Sequence, residues 1–149
     1  NNSNDSYLSM TSGVFPYPQE LTQTNLTRGM VTGVKTKVLG STQFLYTVNY
    51  YDVEGRIIQS RSQTLDNCST TATTKYGFAS QVLIRNDEIN KCGSTTQKIL
   101  TTTKVSYDDL LRQSAIRKAV KYVRGSAEID KPEQEIVRFE YDKLGQLSK

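Results

Sequence analysis

The chain has 149 residues, of which 36% are apolar and 23% charged, and its formal charge is +4. That length suits one domain with a modest core, and no apolar run approaches the roughly 20 residues of a membrane-spanning helix. Lys and Arg are scattered without a basic stripe, which argues against a nucleic-acid partner, and the absence of His removes the commonest general base and metal ligand.

Residues 1–25 are polar, with Pro16 and Pro18 interrupting any regular element, and read as a tail or lead-in to a β domain over 26–149. Val34, Thr36 and Val38 alternate with Lys35 and Lys37, as in a half-buried strand. Phe44, Tyr46, Val48 and Tyr50 alternate with polar residues in the clearest strand of the chain. Asp52-Val53-Glu54-Gly55 then has the residues of a type I turn closed by a positive-φ glycine. Tyr51 and Arg56 are expected to face each other across the neck, with the arginine on the tyrosine ring. Arg56 to Ser62 returns, and 67–70 reads as a loop. Thr71 to Tyr76 and Gln81 to Arg85 make the next hairpin, and "NDEINKCGS" reads as a polar connector. Gln97 to Tyr107 is a threonine-rich strand. From 107 to 123, Leu111, Ala115, Ala119 and Val123 recur at helical spacing, yet the position of Tyr107-Asp108 favours a turn followed by a strand. Glu135 to Tyr141 alternates again.

The turn recurs. Tyr141-Asp142-Lys143-Leu144-Gly145-Gln146 repeats it, as does Tyr107-Asp108-Asp109-Leu110-Leu111-Arg112, and Tyr76-Gly77-Phe78-Ala79-Ser80-Gln81 is a worn copy. The leading tyrosines stand 25, 31 and 34 residues apart, an internal repeat whose length varies between the turns. Leu111 stands where glycine is expected, and positive φ strains a branched side chain, so that turn is expected to differ from the first.

At these residues the sequence resembles the Rhs/YD-repeat family, whose signature is Tyr-Asp-x-x-Gly-Arg followed by apolar residues. The resemblance covers about residues 29–149. "RGMVTGVKTKVLG" and "DKPEQEIVRFEYDKLGQLSK" resemble an opening segment and a late repeat of YD-repeat proteins from Bacteroidetes-type bacteria. The resemblance implies an all-β chain of antiparallel hairpins forming a curved, open sheet, part of a β shell. In bacterial members such a shell can enclose a C-terminal toxin; in animal relatives it serves adhesion. It further implies a secreted or cell-surface setting, and the remainder of a longer parent chain as the first partner. The opening at "NNSNDS" fits a piece of such a chain.

Cys68 follows Tyr51 by 17 residues and Cys92 follows Tyr76 by 16. Repeats packed side by side make these two neighbours, able to form a disulfide in an exported protein; the alternative is two unpaired thiols in loops. Little else carries chemistry. Two cysteines without His build no zinc site, no phosphate loop occurs, and no catalytic, metal or cofactor residue is assigned. Asp52, Glu54, Asp108, Asp109 and Asp142 follow the repeat and read as turn residues rather than an acid/base set. Tyr46, Tyr50, Tyr51, Tyr76, Tyr107 and Tyr141 read as packing residues rather than a sugar platform. The sequons at Asn1, Asn4, Asn25 and Asn67 arise easily in so Asn-, Ser- and Thr-rich a chain. The leading expectation is thus a non-catalytic structural module. The alternative is a surface module that recognises carbohydrate or a protein through tyrosines and loops. Exposed edge strands further suggest either an edge-to-edge homodimer or an edge covered by residues 1–25.

Overall fold

A computed structural model describes residues 22–148; the expected tail lies outside the described residues as far as residue 21. The fold is all-β. Eight antiparallel strands, β1 (Gly33–Lys37), β2 (Phe44–Tyr51), β3 (Ile57–Gln63), β4 (Ser69–Tyr76), β5 (Val82–Lys91), β6 (Gln97–Tyr107), β7 (Gln113–Arg124) and β8 (Ala127–Arg138), form one open sheet in strict sequence order. Among the described residues there is no helix. Because every connection is a hairpin, alternate turns lie at opposite ends. One rim holds the turns at 52–56, 77–81, 108–112 and 142–146; the other holds the loops around 38–43, 64–68, 92–96 and 125–126.

The segment with helical spacing is β7. A separation of four residues returns to the same side in a helix and also in a strand, because four is even. In the sheet Ala115, Ala119 and Val123 share one face, and β7 is paired along its length to both β6 and β8. Two expectations need correction. The "connector" Asn86–Lys91 is the second half of β5, paired from Asn86↔Thr102 to Lys91↔Gln97. Strand β8 begins at Ala127, well before Glu135. Both stretches are polar because a single-layer sheet leaves much of its two faces wet, so strand formation there asks for no apolar alternation. Strand β1, expected to be half-buried, is exposed throughout.

The core follows the rim of motif turns. Tyr50, Tyr51, Ile58, Leu83, Ile84, Val105 and Ala115 are buried, and each lies within three residues of a motif turn; Cys68, buried at the opposite rim, is the exception. Towards the middle of the strands the buried residues become polar, with Gln59 Nε2 donating to Thr73 Oγ1 at 3.0 Å. The edges are guarded. β1 is short and carries Lys35 and Lys37. β8 carries Pro132, which lacks an N–H, between Lys131 and Gln134, where the register against β7 shifts, together with Glu128, Asp130, Lys131, Glu133 and Glu135. Short length, Lys, Pro and dense charge all discourage pairing with another chain.

Candidate functional site

The four motif turns share one backbone frame. In each, the N–H at the aspartate position donates to the carbonyl four residues on, and the N–H at the glycine position donates back to the aspartate position: Asp52/Arg56 and Gly55, Gly77/Gln81 and Ser80, Asp108/Arg112 and Leu111, Asp142/Gln146 and Gly145, all at 2.8–3.1 Å. The glycine position has φ of 78° at Gly55, 61° at Ser80, 60° at Leu111 and 79° at Gly145. The expectation that the Leu111 turn differs is therefore overturned. Five backbone and side-chain bonds around Asp108 hold Leu111 left-handed in spite of its side chain.

Asp52 Oδ1 accepts from the N–H groups of Glu54 and Arg56 at 3.0 and 2.9 Å, and its Oδ2 accepts from Arg56 Nε at 2.6 Å. Asp108 repeats this set with Leu110 and Arg112, and Asp142 repeats the backbone part with Leu144 and Gln146. Partial burial raises the pKa of Asp108, but the Arg112 N–H, the Arg112 guanidinium and the Leu110 N–H outweigh it and hold the carboxyl below its usual range. Gly77 in the worn copy has a different task. A Cβ there would lie 2.6 Å from Gln81 Nε2, so the missing side chain leaves room for Gln81 to fold over the turn.

Tyr51 and Arg56 are not the facing pair. The ladder bulges at Tyr51, which pairs with Ile57, and the arginine reaches forward to the next repeat. Arg56 Cζ sits 4.8 Å from the Tyr76 ring centroid, and its Nη1 donates to Ser80 Oγ at 3.3 Å; Arg112 Cζ sits 4.2 Å from the Tyr141 ring centroid. Each tyrosine in turn reaches back. Tyr76 Oη donates to Ile57 O, Tyr107 Oη to Val82 O and Tyr141 Oη to Gln113 O, each at 2.9 Å. The acceptor is always the residue just after the previous Arg or Gln. Burial raises the phenol pKa of Tyr76 and Tyr107, which favours the protonated donor.

The same rule exposes a copy that sequence reading missed. Tyr51 Oη donates to Val31 O at 2.8 Å, so Val31 is the expected acceptor of an earlier turn. Counting back places Gly29 (φ 83°) at the glycine position and Met30 at the arginine position. The backbone bonds of this turn differ from the frame of the other four: Met30 N donates to Thr27 O at 3.0 Å and Leu26 N to Thr24 Oγ1 at 3.1 Å. Met30 Cε lies against Gly55, where a Cβ would sit 3.2 Å away, just as Arg112 Nη1 lies against Gly145 at the same distance. Asn25 and Leu26 replace Tyr and Asp in this copy, so only Gly29 carried a signal. Nearby, buried Thr24 donates its N–H to Tyr51 O at 2.8 Å.

The opposite rim is joined by other means. Thr64 to Cys68 forms the same turn frame, with Asn67 at φ 58°. Gln43 Nε2 donates to Leu65 O and Asn67 Oδ1, both at 3.1 Å, and Gly125 N donates to Thr96 O at 3.1 Å. Between these, Cys68 and Cys92 are bonded as a disulfide with Cα atoms 5.6 Å apart.

The motif carboxylates are thus occupied by N–H groups and arginines, and lie on separate hairpins. Among the described residues no cluster of His, Cys, Asp or Glu could hold a metal ion. An open groove of about 550 Å³ crosses β3 to β7, floored by small residues such as Ser60, Ala72 and Thr101 and flanked by the Arg85–Asp87 pair and Lys118. No family model matches this chain, and neither does any curated protein or solved structure.

Proposed function

We propose that the protein is a non-catalytic structural module, a stretch of an extended hairpin array contributing to a larger β shell in a secreted or cell-surface protein of Rhs/YD-repeat type. One observation carries the reading: every motif tyrosine is used to join one turn to the next. A tyrosine–carbonyl bond contributes on the order of 1 kcal/mol, and an arginine on an exposed ring about 0.5–1 kcal/mol. These links act only between neighbours, which is how a repeat array gains stability without a thick core. Beyond β8, the Tyr141↔Leu147 bridge starts another hairpin in the same frame, so further hairpins of a parent chain are the natural partner. Enclosure of a toxin follows from the resemblance alone. An edge-to-edge homodimer would have to overcome Pro132 and the charges of β8, or the shortness of β1.

The test is to change Tyr51, Tyr76, Tyr107 and Tyr141 singly to Phe and to measure unfolding beside binding to a glycan array. Similar stability losses at all four positions, with no saturable glycan binding by the parent protein, support the structural reading. Saturable binding abolished by a substitution that leaves stability unchanged would sink it. A second reading, recognition of a carbohydrate or a protein surface, is favoured by the groove rather than by the motif tyrosines. There a Thr101→Trp change, which fills the floor, would abolish binding.

A further inference from the structure

We propose that the Cys68–Cys92 disulfide is a redox latch, opened by attack of a small anionic thiol on Cys92 from the groove beside it. The two sulfurs are unequal. Cys68 is 3% exposed, whereas Cys92 is exposed on the loop after β5. An attacking thiolate therefore meets Cys92. That side opens into a groove of about 390 Å³ lined by Lys91, Arg124, Ser94 and Thr95, with Asp66 as its acid. Asp66 is already engaged by the Thr64 hydroxyl and by the N–H groups of Cys68 and Cys92. Lys91 and Arg124 form no ion pair among the described residues, so the groove favours an anion.

The bond lies just beyond the Thr70↔Ile89 pair of β4 and β5 and closes the end of that hairpin opposite its 77–81 turn. In the first step the thiolate sulfur bonds to Cys92 Sγ, the Sγ–Sγ bond breaks, and Cys68 leaves as a thiolate that takes a proton from water. A second thiolate then attacks the outer sulfur of the mixed disulfide and releases Cys92. The net change is two thiols oxidised to one small disulfide and the protein disulfide reduced to two thiols. Opening frees turn 64–68 from loop 92–96. The tyrosine-linked rim, at the other end of the same strands, keeps its bonds.

The experiment compares opening of the oxidised protein by glutathione, an anionic thiol, and cysteamine, a cationic one, at matched thiolate concentration and low salt. Glutathione should react about fivefold faster, the scale expected of two nearby cations in water. Lys91→Ala with Arg124→Ala should erase that preference, and trapped mixed disulfide should sit on Cys92. Hydrogen exchange should rise at 64–68 and 92–96 and not at 52–56. Equal rates for the two thiols, adducts on Cys68, or exchange rising along the whole sheet would each overturn the proposal.

Discussion

Leu111 offers a measurement of what the turn frame withstands. Its φ of 60° is left-handed, a conformation costing a non-glycine residue about 1–2 kcal/mol. Glycine removes that cost, but its unfolded chain gains freedom worth about 0.4–1 kcal/mol. Leu111 is 54% exposed, so truncating its side chain forfeits roughly half of a buried leucine's 1.5–3 kcal/mol. Leu111→Gly alone therefore nets near zero and decides little. The informative comparison is Leu111→Gly against Leu111→Ala, since both lose the side chain and only alanine keeps the strain. Gly should be the more stable by about 0.5–1 kcal/mol, or some 2–4 °C in melting midpoint per kcal/mol for a chain of this size. Thermal and urea unfolding by circular dichroism measure it. An alanine variant as stable as the glycine variant would show that the turn relaxes out of the left-handed region, and the shared frame would be wrong.

Gly55→Val should cost at least about 1 kcal/mol in the same assay, because a branched side chain enters φ 78° and its Cβ meets Met30; an unchanged midpoint would contradict the bulged hairpin. Tyr76→Phe should cost about 1 kcal/mol through the lost bond to Ile57 O, and adding Arg56→Met should cost as much as it does alone, since phenylalanine keeps the ring on which the guanidinium lies. Replacing both cysteines by alanine should cost roughly 3–4 kcal/mol on chain-entropy grounds for a sequence separation of 24; unfolding of the variant beside the oxidised parent tests this. Asp108 has a folded pKa below its ordinary 3.8. Its contribution to stability is therefore complete above that value and lost as pH falls through the folded pKa. Asp108→Asn should flatten the loss of melting midpoint below about pH 4; a titration identical to the parent's would place the acid sensitivity elsewhere.

The turns were legible because their chemistry is local. Asp52, Gly55 and Arg56 lie within five residues, and their bonds run within the turn. What the arginine does next was not legible. Its ring partner, Tyr76, is 20 residues away and becomes a neighbour only once two hairpins pair. The stretch around Gly29 was missed for the converse reason: its tyrosine and aspartate are absent, and its turn is closed by a different bond, Met30 N to Thr27 O, so that only the links to the next turn through Tyr51 Oη and Met30 are kept. The first part of β8, before Glu135, escaped notice because an edge strand exposed on both faces carries no burial pattern, and its charges and Pro132 are the marks of a guarded edge rather than of a loop.

The irregular repeat length has a physical explanation in the two rims. Each tyrosine finds its acceptor six residues after the tyrosine or its stand-in before it, whatever lies between, so register is set from the motif rim. Residues added between motif turns lengthen both strands of a hairpin and extend it at the other end. The strands grow accordingly from 5 residues in β1 to 12 in β7 and β8. At the motif rim, therefore, a change of turn sequence is tolerated only if it keeps the frame, as Ser80 and Leu111 do. The opposite rim takes loops of differing length and sequence, and needs its own fastenings in Gln43, the disulfide and the Gly125–Thr96 bond. A chain built this way holds its register at one end and is free to vary at the other, which is where contacts particular to this protein are best sought.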